Sequence, residues 1–227
     1  MRATPLDGRK AKEGAMTESA AIGNLDLAAL VSSRICHDVI NPVAAIANGL
    51  EMLGEEQDQG MRDAAMDLIR KSAAQASAKL QFARLAFGAA GSAGAEIDLR
   101  DAEKVSREFV QGSGKHQLAW QGPAVTLPKN KVKLLLNLVA LGVVALPRGG
   151  VVSAAIDGTP PDVSFTVTAK GDSARLTDQV KSLLLGGNGV TIDSHSIQPY
   201  YARLVAAASG MTVMAEAAVG EVVFKAA

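Results

Sequence analysis

From about residue 25 to residue 87, apolar residues recur at helical spacing in two runs separated by a short polar stretch. In the first run Val31, Ile35, Val39, Val43, Ile46, Leu50 and Leu53 share one stripe at about 100° per residue, the pattern of a helix buried along one side. This helix is predicted from about Leu25 to Leu53 and stops at Gly54. The second run, from about Met61 to Phe87, carries Met61, Ala65, Leu68, Ile69, Ala76, Leu80, Ala83 and Phe87 on its apolar side. Glu55-Glu56-Gln57-Asp58-Gln59-Gly60 between them suits the turn of an antiparallel helical hairpin. Two helices of roughly 30 residues, about 45 Å long, cannot cover their own apolar faces. Burial alone therefore predicts that the hairpin pairs with a copy of itself, as a homodimeric four-helix bundle.

The pattern changes near residue 90. Gly88-Ala89-Ala90-Gly91-Ser92-Ala93-Gly94 reads as a linker, and beyond it strands and helices mix. Asp98 is placed to cap a short helix running to about Phe109, and Gln117 to Trp120 reads as a strand. Asn130 to Leu146 is a strongly apolar helix. Val151 to Ile156 and Val163 to Thr168 alternate as strands on either side of the turn signal Asp157-Gly158-Thr159-Pro160-Pro161. Helices from about Ser173 to Leu185 and Ser194 to Ser209, with a glycine loop between them, precede strands near Met211 to Ala215 and Glu221 to Lys225. The order predicts an α/β sandwich, with helices over one face of a mixed sheet. Residues 1–20 are read as a disordered lead-in, 21–90 as the hairpin, and 91–227 as the α/β domain.

Charge changes this picture little. The chain has 227 residues and no net charge, so nothing suggests electrostatic capture of nucleic acid or of a membrane surface. A single cysteine, Cys36, fits a reducing cytoplasm. No apolar run approaches the length needed to span a bilayer, and the first twenty or so residues lack the apolar centre of a signal peptide.

The candidate chemistry lies in His37-Asp38-Val39-Ile40-Asn41-Pro42. His37 falls about 180° from the centre of the apolar stripe, on a face it shares with Ser33, Asn41, Ala44, Asn48 and Glu51. A lone histidine is usually a satisfied core residue, but this periodicity presents it to solvent or to a partner. Imidazole is a nucleophile near neutral pH. An adjacent carboxylate can hold one ring nitrogen as N–H and leave the other free to attack, which gives Asp38 the role of orienting acid or base. Pro42 lacks a backbone N–H and is expected to bend the helix just past the histidine. A histidine, an acid next to it and a proline five residues on resemble the phosphoacceptor box of two-component histidine kinases.

The order of elements, a histidine-bearing hairpin and then an α/β domain, also resembles a histidine kinase with its dimerisation hairpin and ATP-binding domain. The nucleotide boxes depart from that resemblance. In the helix around Asn137 a kinase carries a second asparagine four residues on, for magnesium, and this chain has Leu141. The strand that should end in an aspartate for the adenine amino group runs Ala169-Lys170-Gly171-Asp172-Ser173. The last glycine-rich box has become Asp193-Ser194-His195-Ser196-Ile197. Phosphoryl transfer from ATP depends on that positioning and charge neutralisation. Gly186-Gly187-Asn188-Gly189 survives, but a turn between two helices explains it as well.

An acceptor box beside a lost nucleotide site is similar to the histidine phosphotransferases of the ChpT family, from the alphaproteobacterial cell-cycle phosphorelay. Arg34 to Pro42, Gly49 to Leu53, Met61 to Ile69 and Leu80 to Gly88 carry the likeness. The resemblance implies a carrier that takes a phosphoryl group from the receiver domain of a hybrid histidine kinase onto His37 and passes it to receiver domains of response regulators. It implies docking of the receiver over Ser33, Asn41, Ala44 and Asn48, no cofactor on this chain, and magnesium and a lysine brought by the receiver. Two other readings stand beside it: an active kinase with divergent nucleotide boxes, and a non-catalytic dimeric adaptor for receivers.

Other residues read blandly. His37, His116 and His195 with Cys36 match no metal-ligand spacing, and Cys36 falls beside the core stripe as a small packing residue. Arg62, Arg70 and Arg84 suit an acidic receiver surface or a solvated helix face equally, and Trp120 reads as a core or sheet residue.

Overall fold

The computed structural model describes residues 22–55, 58–88, 95–187 and 189–227. The lead-in expected over residues 1–20, residues 56 and 57 of the hairpin turn, residues 89–94 of the linker and Asn188 of the glycine loop lie outside them. Two long helices, α1 (Asn24–Glu55) and α2 (Gln59–Ala86), form the hairpin. Asp58 caps α2 by accepting from the Met61 N–H at 2.9 Å, which starts that helix two residues earlier than its apolar pattern. At the other side of the turn Arg62 donates to the Leu53 carbonyl at 2.7 Å, satisfying a terminal acceptor of α1. The helices approach closely at the buried Gly49, where a Cβ would stand 2.7 Å from Ile69 Cγ1 and 3.3 Å from the Ala65 carbonyl oxygen.

The rest of the chain is β1 (Glu96–Asp98), α3 (Leu99–Gln111), β2 (His116–Gln121), β3 (Thr126–Pro128), α4 (Lys129–Val144), β4 (Gly150–Thr159), β5 (Asp162–Lys170), α5 (Asp178–Leu185), α6 (Ile197–Ala208), β6 (Val213–Ala218) and β7 (Glu221–Ala226). Five strands make one mixed sheet in the order β2-β4-β5-β7-β6, parallel between β2 and β4 and antiparallel elsewhere. Alternate residues along its central strands, such as Val152, Ala154, Val167, Ala169, Val222 and Phe224, are buried. They meet α4, which is buried from Val132 through Gly142 and crosses the sheet with α3 and α6 beside it. This is the expected α/β sandwich.

Local chemistry moved two helix starts. The helix expected from Ser173 begins at Asp178, capped by Thr177. The preceding segment is tied instead to the α4–β4 connection, where Ser173 Oγ accepts from the Arg148 N–H at 3.2 Å and the Arg175 N–H reaches the Ala145 carbonyl at 2.9 Å. The helix expected from Ser194 begins at Ile197, because residues 193–196 close into a turn around the Asp193 carboxylate. The two-stranded ribbon of β1 and β3, with Ile97 opposite Leu127, was not foreseen.

Hairpin and sandwich share their packing. Phe82 and Ala86 of α2 belong to the same buried cluster as the sheet and α4, and the Phe82 ring stacks on Phe109 of α3 at 4.0 Å between centroids. The first turns of α1, through Leu27, Leu30 and Val31, pack on Leu183 of α5 and on Ile197 and Tyr200 of α6. Both helices of the hairpin are therefore docked on the α/β unit, and that docking sets what stands beside the histidine. The expected apolar stripe of α1 is only partly covered. Val43 remains 50 % exposed and Leu50 57 %, and Leu80 on α2 is 50 % exposed.

Candidate acceptor site on the hairpin

His37 is exposed on α1, as its helical angle predicted. Ser33, Asn41, Ala44 and Asn48 are exposed as well, so on its own helix face the histidine lies in a strip of short side chains. Pro42 is buried inside α1, and the helix runs on through it without a break. Because Pro42 has no N–H, the Asp38 carbonyl four residues back loses its helical donor. Lys79 of α2 replaces that donor, reaching the Asp38 carbonyl oxygen at 2.8 Å. A lysine from the opposite helix thus repairs the ladder one residue past the histidine.

The Asp38 carboxylate has a different partner from the one its position suggested. Its Oδ2 accepts from Arg34 Nε at 2.8 Å, rather than from the imidazole. Arg34 precedes Asp38 by one turn, the less favourable order relative to the helix dipole, and such pairs contribute only about 0.3–0.5 kcal/mol. The pair has a positional consequence instead. It fixes the guanidinium so that Nη1 donates to the His195 carbonyl at 2.9 Å, across from α1 to the segment that precedes α6.

That contact brings a second histidine to the site. The His195 ring stands edge to face against the His37 ring, with centroids 4.5 Å apart and planes at 81°. Its segment is knotted around Asp193, whose Oδ1 accepts from the His195 N–H at 3.0 Å, the Ser196 N–H at 2.8 Å and Ser196 Oγ at 2.7 Å. Those bonds, the Ser196 hydroxyl first, hold the Asp193 carboxyl below its ordinary value. His116 is elsewhere: its ring nitrogens face Ser113 Oγ at 3.0 Å and the Leu146 carbonyl at 2.8 Å, a structural role on β2. Cys36 is exposed, not packed beside the stripe, since the covered part of α1 is narrower than its apolar pattern. Arg34, Lys79 and His195 were given no role from sequence. Only Lys79 had a local signal, the acceptor that Pro42 must orphan; the other two depend on long-range docking.

The positions compared above with kinase nucleotide boxes are buried. Leu141 is 2 % exposed and Ala169 0 %, within α4 and the sheet. Asn137, fully buried, donates through Nδ2 to the Ala86 carbonyl of the hairpin at 3.1 Å and to the Lys133 carbonyl of its own helix at 2.8 Å, and its Oδ1 has no hydrogen-bond partner among the described residues. A cavity of about 220 Å³ remains between Leu141, Thr177, Gln179, Gln198 and the Asp193–Ser196 turn. A larger apolar groove of about 550 Å³ opens between the helices of the hairpin, lined by Leu27, Val31, Ile35, Leu80 and Phe87 and closed by Tyr201. Among the described residues no helix is long and apolar enough to cross a membrane.

Residues 99–220 match the family described as the histidine phosphotransferase C-terminal domain. Over 212 residues the chain is 46 % identical to protein phosphotransferase ChpT of Brucella abortus (strain 2308), covering 93 % of this chain and 100 % of that protein. A bacterial phosphotransferase of known structure superposes with a TM-score of 0.84 at 45 % identity, covering 92 % of this chain and 99 % of that one.

Proposed function

This chain belongs to the histidine phosphotransferase family, and we propose that His37 is the residue on which it carries the phosphoryl group. The family places it in a phosphorelay between histidine kinases and response regulators, and neither the active-kinase reading nor the adaptor reading is favoured. The observation that carries the assignment of His37 is its exposure on a strip of short side chains, where a receiver surface can close over it.

In the forward step a ring nitrogen of His37 attacks the phosphorus of an aspartyl phosphate on a docked receiver. The new N–P bond forms as the acyl P–O bond breaks, and the aspartate leaves as carboxylate. The other ring nitrogen, cationic in the product, sheds its proton. In the second step the aspartate of the next receiver attacks phosphorus, the P–N bond breaks and the imidazole takes a proton back. Asp38 is the group we assign to orient the ring and accept that proton; reaching the ring requires it to rotate away from Arg34. Magnesium and a lysine come with the receiver, and this chain supplies placement. Receivers dock over Ser33, Asn41, Ala44 and Asn48.

ATP has no part in this cycle, a reading supported by the packed Leu141 and Ala169 and by the diversion of Asn137 to Ala86. The exposed Val43, Leu50 and Leu80 and the apolar groove support a homodimer through the hairpins, which we assign to the cytoplasm with its receivers. Ile46→Glu with Leu80→Glu should dissociate it, because charge buried without a partner is costly; a wild-type chain that scatters light as a 23.4 kDa monomer would remove the dimer. The test of the acceptor is His37→Gln, incubated with a phosphorylated receiver domain. Wild type should gain one acid-labile, base-stable phosphoryl group and the variant none, with the fold unchanged. Equal labelling of the variant would refute the assignment.

A further inference from the structure

We propose that His195 is a positioning residue for the acceptor: its ring, brought in by the second domain, holds the His37 imidazole in the orientation that in-line transfer requires. The inference rests on the reading of His37 as the phosphoryl carrier. An exposed histidine has a broad, roughly two-fold preference at χ2, so an unsupported ring swings its two nitrogens through several directions. In-line attack uses one nitrogen in one direction, and misplacement is costly in rate. The edge-to-face contact at 4.5 Å and 81° removes that freedom from one side of the ring, while the strip from Ser33 to Ala44 stays open to the incoming receiver.

The way His195 is mounted argues for a built contact rather than a chance neighbour. Its N–H is held by Asp193 at 3.0 Å and its carbonyl by Arg34 at 2.9 Å, so the backbone is fixed on both sides. Arg34 is in turn aligned by Asp38, the residue after the acceptor. The loop therefore takes its position from the helix it serves, one turn away from the ring it touches. The same arrangement gives the α/β domain a task. Where a kinase would have its last glycine-rich box, this chain has a turn that carries a side chain to the phosphoacceptor.

The test uses the full chain and whichever receiver charges it fastest in a panel of phosphorylated receiver domains, read as single-turnover rate against receiver concentration. His195→Ala should lower the saturating rate about three- to tenfold, the size of an aromatic pair contact expressed as a rate, and leave the half-saturating concentration unchanged. His195→Phe, which keeps an aromatic edge at the same place, should restore most of the loss. A full saturating rate in His195→Ala, a change in half-saturation alone, or a phenylalanine variant as slow as the alanine one would each overturn the proposal. Peptide mapping of the wild-type label keeps the two readings apart: a phosphoryl group found on a residue other than His37 would sink the acceptor assignment itself, whereas a label on His37 with any of those kinetic results sinks only the role of His195.

Discussion

The acceptor face of α1 and the nucleotide positions of the second domain both resemble parts of a histidine kinase in sequence, yet they have opposite environments. Around His37 the face residues Ser33, Asn41, Ala44 and Asn48 are short and exposed, and the polar groups beside it are tied to one another through Arg34, Asp38 and Lys79. Leu141 and Ala169 are buried, Leu141 at the edge of a cavity of about 220 Å³, and the amide nitrogen of Asn137 bonds the carbonyl of Ala86. The first region is open to a partner, whereas Leu141 and Ala169 of the second are enclosed. The α/β domain packs on the hairpin, and in our proposal it also delivers His195.

The largest effect should come from Asp38→Asn, which keeps size and removes charge. Transfer from a phosphorylated receiver should slow by about 10²- to 10⁴-fold if the carboxylate takes the ring proton. Single-turnover rates beside a binding isotherm measure it. A normal rate would confine Asp38 to its role on Arg34, and weaker binding at a normal rate would make it a docking residue.

Placing at position 141 the asparagine a kinase would carry, by Leu141→Asn, sharpens the other side of the comparison. Apolar contacts are lost and a buried amide gains no ready partner, so denaturant unfolding should show a loss of about 2–4 kcal/mol. Titration calorimetry of the variant with magnesium-ATP should still give no saturable heat. Binding in the micromolar range would mean that a nucleotide site persists.

Smaller effects separate repair from chemistry. Lys79→Met removes the donor to the Asp38 carbonyl and should cost about 1 kcal/mol in unfolding experiments. Lys133, buried on α4, has its ammonium held below the ordinary lysine value of 10.5 by burial first and by repulsion from Lys129 second. Between the lowered value and 10.5 the unfolded chain holds this proton and the folded chain does not, so stability should rise with pH across that window. Lys133→Met should raise stability slightly near neutrality and flatten that rise, seen as melting temperature against pH. An unchanged slope would show that Lys133 reaches water.

Much of the fold was legible because period and polarity agreed: the helices of the hairpin, the apolar α4, and the alternating β4 and β5 follow directly from their residues. The misses have local causes. The strands β1 and β3 are three residues each, too short to show a period. The starts of α5 and α6 were misjudged because Ser173 and Asp193 bond nearby backbone in place of the next helical turn. The exposed face of His37 was legible from its angle alone. The company it keeps was not, since the contact of His195 depends on a docking across 158 residues of chain, from His37 to His195, that no local pattern encodes.

The most direct test of the central claim is to offer the wild-type chain two phosphoryl donors in parallel, a phosphorylated receiver domain and magnesium-ATP, and to locate any label by mass spectrometry under basic conditions. One phosphoryl group on His37 from the receiver, and none from ATP, is the predicted result. A label acquired from ATP, or a receiver-derived label on any other residue, would contradict it.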